Sequence, residues 1–103
     1  MSEFTNVTIV REATIYFHGN VVSRKVIFPD GSVKTLGFMQ PGDYRFSTGA
    51  AEFIEIISGR LDVLLPGSDE WKAFGGGDSF TVQGNSGFTV SVQSPTDYCC
   101  SYL

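Results

Sequence analysis

Three charged side chains lie at positions where strand alternation otherwise places apolar residues. Glu52 opens the apolar stretch EFIEII, and Arg24 and Lys34 fall within two segments rich in β-branched and aromatic residues. Successive strand residues point to opposite faces, so each charge continues a row of apolar neighbours. A carboxylate or a cation in such a row is a candidate binding or catalytic group. The rows are Glu52 with Ile54 and Ile56, Arg24 with Val26 and Phe28, and Lys34 with Leu36 and Phe38.

Each charge also has a structural interpretation. A lysine or arginine on a strand usually belongs to a solvated face, or protects a sheet edge against aggregation. Glu52 follows the turn sequence TGAA and could accept hydrogen bonds from backbone N–H groups there. The residue types alone leave both interpretations open.

The elements that must position these residues are strands. Nearly every segment is β-branched and aromatic for four to eight residues and then breaks at Gly, Pro, Asp, Asn or Ser, which is typical of short strands joined by turns. With no crossover helices between them, the strands indicate an antiparallel sandwich or barrel. The predicted strands are Ala13–Phe17, Val21–Phe28, Val33–Gln40, Tyr44–Thr48, Glu52–Ile57, Leu61–Leu65, Trp71–Phe74, Ser79–Gln83, Phe88–Val92 and Tyr98–Tyr102.

Alternation also predicts which aromatic residues share a face. Tyr44, Phe46 and Thr48 form one row, and Phe80 and Phe88 begin two others. Rows of this kind are core by default. Trp71 follows a polar run and is expected to pack over one end of the fold, and His18 is expected in an exposed turn.

Length, composition and charge exclude several classes of protein. A chain of 103 residues is predicted to form one domain, residues 1–103, with residues 1–12 as an N-terminal extension or edge strand. No apolar stretch approaches the length of a membrane span, and the acidic start lacks an export signal, so we expect a cytoplasmic protein. The net charge of −4 disfavours nucleic acid as a partner. Cys99 and Cys100 are adjacent, and we expect both to be reduced.

Five stretches of the chain carry a family resemblance. The spacing from Glu52 to Gly59, followed later by GDSFTV at 77–82, resembles the two motifs of cupins, which are small double-sheet jelly-roll barrels. The wider pattern resembles the broad-specificity pyrimidine/purine nucleoside phosphorylases, which are one-domain cupins. The resemblance implies an all-β, single-domain, cupin-type double-sheet jelly-roll barrel. Its five stretches are YFHGNV (16–21), DGSVKTLGFMQPGDYRFST (30–48), EFIEIISGRLDVLLPGSDEW (52–71), GDSFTVQGNSGF (77–88) and DYCCSYL (97–103).

The resemblance departs from metal-binding cupins at the ligand positions. Metal-binding members carry three histidines, and the corresponding positions here look like Phe46, Thr48 and Phe88. The single histidine, His18, cannot replace them. We therefore expect no metal and no other cofactor, with inorganic phosphate as a co-substrate. Gln83 also stands where this family usually has proline, so the local turn is expected to differ.

The resemblance implies phosphorolysis, in which a ribosyl group moves from a base nitrogen to a phosphate oxygen. A phosphate needs positive potential, and Lys34 and Arg24 lie on neighbouring predicted strands, so both are phosphate candidates, with Lys34 also a catalytic candidate. Glu52 is the candidate for binding ribose or stabilising its oxocarbenium-like transition state. Aromatic side chains can stack on any base. The substrate-binding candidates are Tyr44, Phe46, Thr48, Phe80, Phe88 and Tyr102.

Two other functions stay open. A metal-free cupin could bind a small sugar or nucleotide without catalysis, or the chain could be a structural module that associates through its sheet edges. The expected partners are a nucleoside and phosphate. A homodimer is also expected, because the apolar stretch Val7–Val10 and exposed sheet edges favour strand pairing between protomers.

Overall fold

The strands of a computed structural model, which describes residues 2–103, agree with the predicted ones to within a residue or two at most ends. One additional short strand precedes them, and a 3-10 turn at Phe17–Gly19 follows the second strand. The eleven strands are β1 (Thr8–Ile9), β2 (Thr14–Tyr16), β3 (Val21–Ile27), β4 (Val33–Met39), β5 (Gly42–Ser47), β6 (Glu52–Ser58), β7 (Arg60–Leu64), β8 (Trp71–Gly75), β9 (Ser79–Val82), β10 (Gly87–Val92) and β11 (Thr96–Tyr102).

The strands form two antiparallel sheets. The larger sheet has the order β1-β3-β4-β11-β6-β9, with β2 also paired to β3, and the smaller has the order β5-β10-β7-β8. The prediction of an all-β, double-sheet fold is therefore confirmed. The prediction of a barrel is not confirmed, because neither sheet closes on itself within residues 2–103. Among the same residues, no helix is long and apolar enough to cross a membrane.

Tight turns give the strands their register. In the turn between β3 and β4, Asp30 Oδ1 accepts hydrogen bonds from the Ser32 amide and hydroxyl, and Gly31 has a φ of 86°. Between β6 and β7, Gly59 has a φ of 103°, and a Cβ there would lie 2.5 Å from the Pro95 carbonyl oxygen. Left-handed backbone and close approach both require glycine at this second turn.

The core lies between the two sheets. Its largest fully buried side chains come from both of them, so the inner faces pack together as a sandwich. These side chains are Ile56, Leu61, Val21, Val63, Val82, Val90 and Thr96, whereas the equally buried Val26 pairs with Lys34 and lies on the outer face of the large sheet.

Strand register separates the residues of the large sheet into two faces. Residues directly opposite each other in antiparallel strands project to the same face. Thr35 pairs with Cys100, which pairs with Ile54, while the neighbouring row joins Lys34 to Ser101. Thr35 and Cys100 therefore face the small sheet, and Lys34 faces outward. Glu52, two residues before Ile54, faces inward as well.

Candidate active site

A cavity of about 250 Å³ lies between the sheets, close to the lower end of the range of small-molecule sites. Strands of both sheets contribute to its lining. Aromatic rings form one group of lining residues, and polar side chains around Glu52 form the other. The aromatic group is Tyr16, Phe17, Phe46, Phe80 and Phe88, and the polar group is Ser23, Thr35, Glu52, Tyr98, Cys100 and Tyr102.

Glu52 is the only acidic residue lining the cavity among residues 2–103. It opens β6, where Tyr102 on one side and Val82 on the other hold its backbone in the sheet. The thiol of Cys100 donates a hydrogen bond to Glu52 Oε1 over 3.5 Å. Burial raises the pKa of the Glu52 carboxyl, and the thiol hydrogen bond opposes that rise. The carboxylate is therefore half-buried with one weak donor beside it, which leaves it free to bind a ligand.

The groups around this carboxylate are protonated donors at neutral pH. Burial, followed by the charge of Glu52, raises the pKa of the Cys100 thiol to about 12. Burial, followed by the nearby Tyr16 phenol, raises the pKa of Tyr98. Burial also raises the pKa of Tyr102, and a hydrogen bond with Thr35 opposes that rise. A carboxylate surrounded by O–H groups suits a ligand that carries several hydroxyls.

Tyr98 reaches across the sheet because of a glycine on the neighbouring strand. Tyr98 pairs with Gly37, and a Cβ at position 37 would overlap the Tyr98 ring. The missing side chain lets the phenol lie flat over β4. Sequence reasoning missed the role of Gly37.

The aromatic group contains three of the predicted stacking residues. The rings of Phe46 and Phe88 are stacked with centroids 5.5 Å apart, and the ring of Phe80 meets that of Phe88 edge-on at 6.4 Å. The predictions of Phe46, Phe80, Phe88 and Tyr102 as ligand-facing residues thus agree with their position in the cavity lining. Their roles in substrate binding stay predictions.

Two aromatic residues at the cavity mouth were missed. Phe17 lies 5.5 Å from the Phe46 ring and Tyr16 lies 6.3 Å from it, and both are partly exposed. Phe17 and His18 have φ values of 50° and 58°, so a tight turn rather than the expected strand end presents the Phe17 ring. Left-handed backbone at a bulky residue has no simple signal in sequence.

Tyr44 and Thr48 do not line the cavity. The Tyr44 hydroxyl donates to the Gln40 carbonyl at 2.7 Å, and its ring packs against Phe17 at 4.9 Å. The Thr48 hydroxyl donates to the Gln83 carbonyl at 2.8 Å. It also accepts from the Ser86 amide at 3.0 Å, so it ties together the loops before β6 and β10. Both side chains are occupied by contacts that stabilise the fold.

Lys34 and Arg24 lie on the outer face of the large sheet, so the structure does not bring them together with Glu52. The ammonium of Lys34 stands 5.6 Å from the ring of Phe4 and 5.7 Å from that of Phe28, which fixes the N-terminal segment by cation–π contacts. Arg24 Nε donates to the Arg11 carbonyl at 3.3 Å. Their inward-facing neighbours, Ser23 and Thr35, line the cavity in their place.

Arg45 is the only cationic residue in the cavity lining among residues 2–103. It lies on β5 between Tyr44 and Phe46, so its side chain projects from the opposite face of the strand. Its guanidinium lies across Gly87, where a Cβ would come within 2.6 Å of Nη2, and Nη1 donates to Thr89 Oγ1 at 3.3 Å. Arg45 therefore contributes to the rim of the cavity rather than to its floor.

Comparison with known proteins identifies the family. The family model described as pyrimidine/purine nucleoside phosphorylase matches residues 11–102. The chain belongs to the pyrimidine/purine nucleoside phosphorylase family. A relative from Geobacter sulfurreducens that carries this name is 67% identical over 103 residues, which cover 100% of this chain and 99% of the relative. One from Sulfurovum sp. is 60% identical over 100% of both chains.

Solved structures agree with this fold. A crystal structure of a protein of unknown function from Acinetobacter sp. ADP1 matches with a TM-score of 0.95 and 38% identity, covering 98% of both chains. An RmlC-like cupin from Shewanella frigidimarina matches with a TM-score of 0.70 over 98% of this chain and 86% of that one. At 14% identity, this second match supports the cupin-like fold alone.

The side chains of the cavity do not fit the metal centre found in metal-binding cupins. Among residues 2–103, no group of three or more His, Cys, Asp and Glu side chains comes close enough to hold a metal ion. Phe46 and Phe88, at two of the positions that correspond to ligands, stack on each other and offer no donor atoms. His18 lies in the exposed turn at the cavity mouth.

Proposed function

We propose that this protein cleaves purine and pyrimidine nucleosides with inorganic phosphate, giving the free base and ribose 1-phosphate. The observation that carries the proposal is the half-buried carboxylate of Glu52, which faces a cavity with hydroxyl donors around it and aromatic rings beside it. The names of relatives that share 52–67% of its sequence over the whole chain support the same reaction.

Glu52 would act on the sugar. In phosphorolysis the bond between the anomeric carbon and the base nitrogen breaks, and its electron pair leaves with the base. A phosphate oxygen then supplies the pair for the new carbon–oxygen bond. The anomeric carbon carries positive charge between these events, and an ionised carboxylate near it lowers the energy of that state. Tyr98, Tyr102 and Thr35 supply hydroxyls within the same group for the oxygens of ribose and phosphate.

The aromatic group would hold the base. Phe46 and Phe88 present ring surface rather than side-chain hydrogen-bonding groups, and every base has a π-face that can stack on a ring. Such a site accepts both purines and pyrimidines. The departing base carries negative charge, and the hydroxyls of Tyr16 and Tyr98 in the cavity lining are available to donate hydrogen bonds to it.

The predicted phosphate-binding residues do not lie in the cavity. Lys34 and Arg24 stay predictions for this role, but their outward position gives them no support from the cavity. The hydroxyls of Thr35, Tyr98 and Tyr102 line the cavity and are better placed to donate hydrogen bonds to a phosphate that enters it. We expect the reaction to need no metal, because Phe46 and Phe88 offer no donor atoms at two of the three positions where metal-binding cupins have ligands.

The test is a chromatographic assay of purified protein with uridine and with adenosine. Each nucleoside is incubated with and without inorganic phosphate, and with and without prior treatment by a chelator. We expect both bases to be released only with phosphate, together with ribose 1-phosphate, and chelation to change neither rate. Binding of nucleoside without release would instead support a non-catalytic cupin. The cytoplasmic location and the homodimer stay predictions.

A further inference from the structure

One edge of β5 is left without a partner strand at the mouth of the cavity. β5 is the end strand of the small sheet and pairs only with β10 among residues 2–103. Arg45 and Ser47 line the cavity although their side chains alternate with the inward-facing Phe46. Because these side chains point away from the cavity, the backbone of Arg45 and Ser47 is the part that can contact a ligand there.

The direction of each backbone group on β5 follows from one hydrogen bond. The Thr48 amide donates to the Ser86 carbonyl at 2.8 Å, toward β10. In an antiparallel pair, the N–H and C=O of one residue point to the partner and those of the next residue point away. Phe46 and Tyr44 therefore point to β10, as Thr48 does. Arg45 and Ser47 point their N–H and C=O groups to the free edge.

A free edge of this kind offers a donor and an acceptor side by side. Each residue that points outward presents one N–H and one C=O, and leaving such groups buried without partners costs free energy. The rings of Phe17 and Tyr16 lie close to Phe46, on the same side of the mouth. A flat ligand with its own donor and acceptor on one edge could pair with the backbone N–H and C=O groups and also pack against these rings.

We propose that the free edge of β5, at Arg45 and Ser47, binds the hydrogen-bonding edge of the nucleobase. This proposal rests on the proposed function and says how the same cavity accepts different bases. Uracil presents N3–H beside a carbonyl oxygen, hypoxanthine presents N1–H beside O6, and adenine presents an amino N–H beside N1. A main-chain donor and acceptor match each pair, whereas a fixed side chain would favour one base.

The first test uses the unaltered protein and changes the ligand. Calorimetry without phosphate measures the dissociation constants of uridine, 3-methyluridine and 5-methyluridine. The 3-methyl group replaces the donor at N3, while the 5-methyl group adds the same volume away from the hydrogen-bonding edge. We expect 3-methyluridine to bind at least tenfold more weakly than uridine and 5-methyluridine to bind within threefold of it. Inosine and 1-methylinosine should repeat the pattern for purines.

The second test changes the strand edge. Ser47→Pro removes the N–H that points away from β10, so no hydrogen bond between the strands is lost, and proline is tolerated at such edge positions. Asp43→Pro is the matched control, because Asp43 points the same way along β5 but does not line the cavity. We expect Ser47→Pro to weaken uridine binding at least tenfold and Asp43→Pro to leave it unchanged. Thermal unfolding of both variants confirms that each is folded.

The outcomes separate this proposal from the proposed function. If 3-methyluridine binds as tightly as 5-methyluridine, and wild-type protein still releases uracil with phosphate, base recognition at the β5 edge is wrong and the phosphorylase proposal stands. If the methylated ligands discriminate as expected but no base is released, the edge binds nucleosides in a protein that is not a phosphorylase. If uridine does not bind and no base is released with phosphate, both proposals fail.

Discussion

Replacing Glu52 by glutamine removes the charge of the proposed site with little change in shape. The amide keeps an oxygen that can accept the hydrogen bond from Cys100. The variant therefore tests the negative charge itself. Glu55→Gln is its matched control, because Glu55 lies three residues further along β6, pairs with Cys99, and faces the other side of the sheet.

The expected size of the effect follows from where the carboxylate lies. Two unit charges 4 Å apart interact by about 4 kcal/mol at the effective dielectric constant of about 20 that suits a half-buried site. About 1.4 kcal/mol corresponds to a factor of ten in rate, so full loss of this interaction costs about 10³-fold. The transition state carries less than a whole charge. We expect kcat/KM for uridine to fall by roughly 10²- to 10³-fold in Glu52→Gln, a range similar to that found when other electrostatic stabilisers are removed.

Glu52→Gln should also change how the stability of the folded protein depends on pH. Burial raises the pKa of Glu52, so the folded protein binds its proton more tightly than the unfolded chain does. The stability that this proton provides is complete below the unfolded pKa and is lost as the pH rises through the folded pKa. At pH 7 wild type keeps a desolvated charge that glutamine lacks. We expect Glu52→Gln to unfold at an equal or higher temperature than wild type at pH 7, an advantage that shrinks at acidic pH.

The assay measures initial rates of uracil release at saturating phosphate for wild type, Glu52→Gln and Glu55→Gln, with thermal unfolding of all three. The proposed role of the Glu52 charge is wrong if Glu52→Gln keeps more than a tenth of the wild-type kcat/KM. It also fails if Glu55→Gln loses as much activity as Glu52→Gln, because the effect would then not belong to the cavity.

Three further changes have expected outcomes. The raised pKa of Glu52 places the acid limb of the kcat/KM profile above the pH at which an ordinary glutamate ionises. Cys100→Ala removes a hydrogen bond that lowers this pKa, so it should move the acid limb to higher pH, and a pH–rate profile that does not move would refute this. Phe46→Ala removes a stacking surface worth about 1–3 kcal/mol per base, so KM should rise about 5- to 150-fold for uridine and adenosine alike, and a rise for one nucleoside alone would argue against shared stacking. Gly37→Ala places a Cβ against the Tyr98 ring, and overpacking of this kind costs about 1–3 kcal/mol; an unchanged midpoint in urea denaturation would show that the ring has room to move.

Local sequence pattern predicted the strands well because alternation and turn residues carry that information. The turns at Gly31 and Gly59 lie in the breaks between predicted strands, the first after Phe28 and the second after Ile57. Parity along β6 also correctly placed Glu52 on the face that carries Ile54 and Ile56. Whether the sheets close into a barrel was harder to predict, because closure depends on which strands lie at the sheet edges. In the described residues, β5 and β9 end their sheets without a further partner.

Parity could not tell which face of the large sheet meets the small one. Lys34 and Thr35 are neighbours on one strand, and each face of β4 carries apolar residues, since Leu36 and Phe38 are partly exposed on the outer side. The sequence pattern indicated Lys34 because of its charge and gave no signal for the hydroxyl of Thr35. Packing between distant strands decided that Thr35 faces the cavity. The positions of Phe17 and of the free β5 edge likewise depend on turn geometry and strand order, which short-range pattern does not encode.

The most direct test of the central claim follows phosphorus rather than base. In ³¹P NMR of purified protein with uridine and inorganic phosphate, we expect a growing ribose 1-phosphate signal equal in amount to the uracil released. We also expect this signal to grow at least a hundredfold more slowly with Glu52→Gln and at the wild-type rate with Glu55→Gln. Uracil release without the sugar phosphate would contradict phosphorolysis, and a Glu52→Gln variant as fast as wild type would contradict the role of the Glu52 carboxylate.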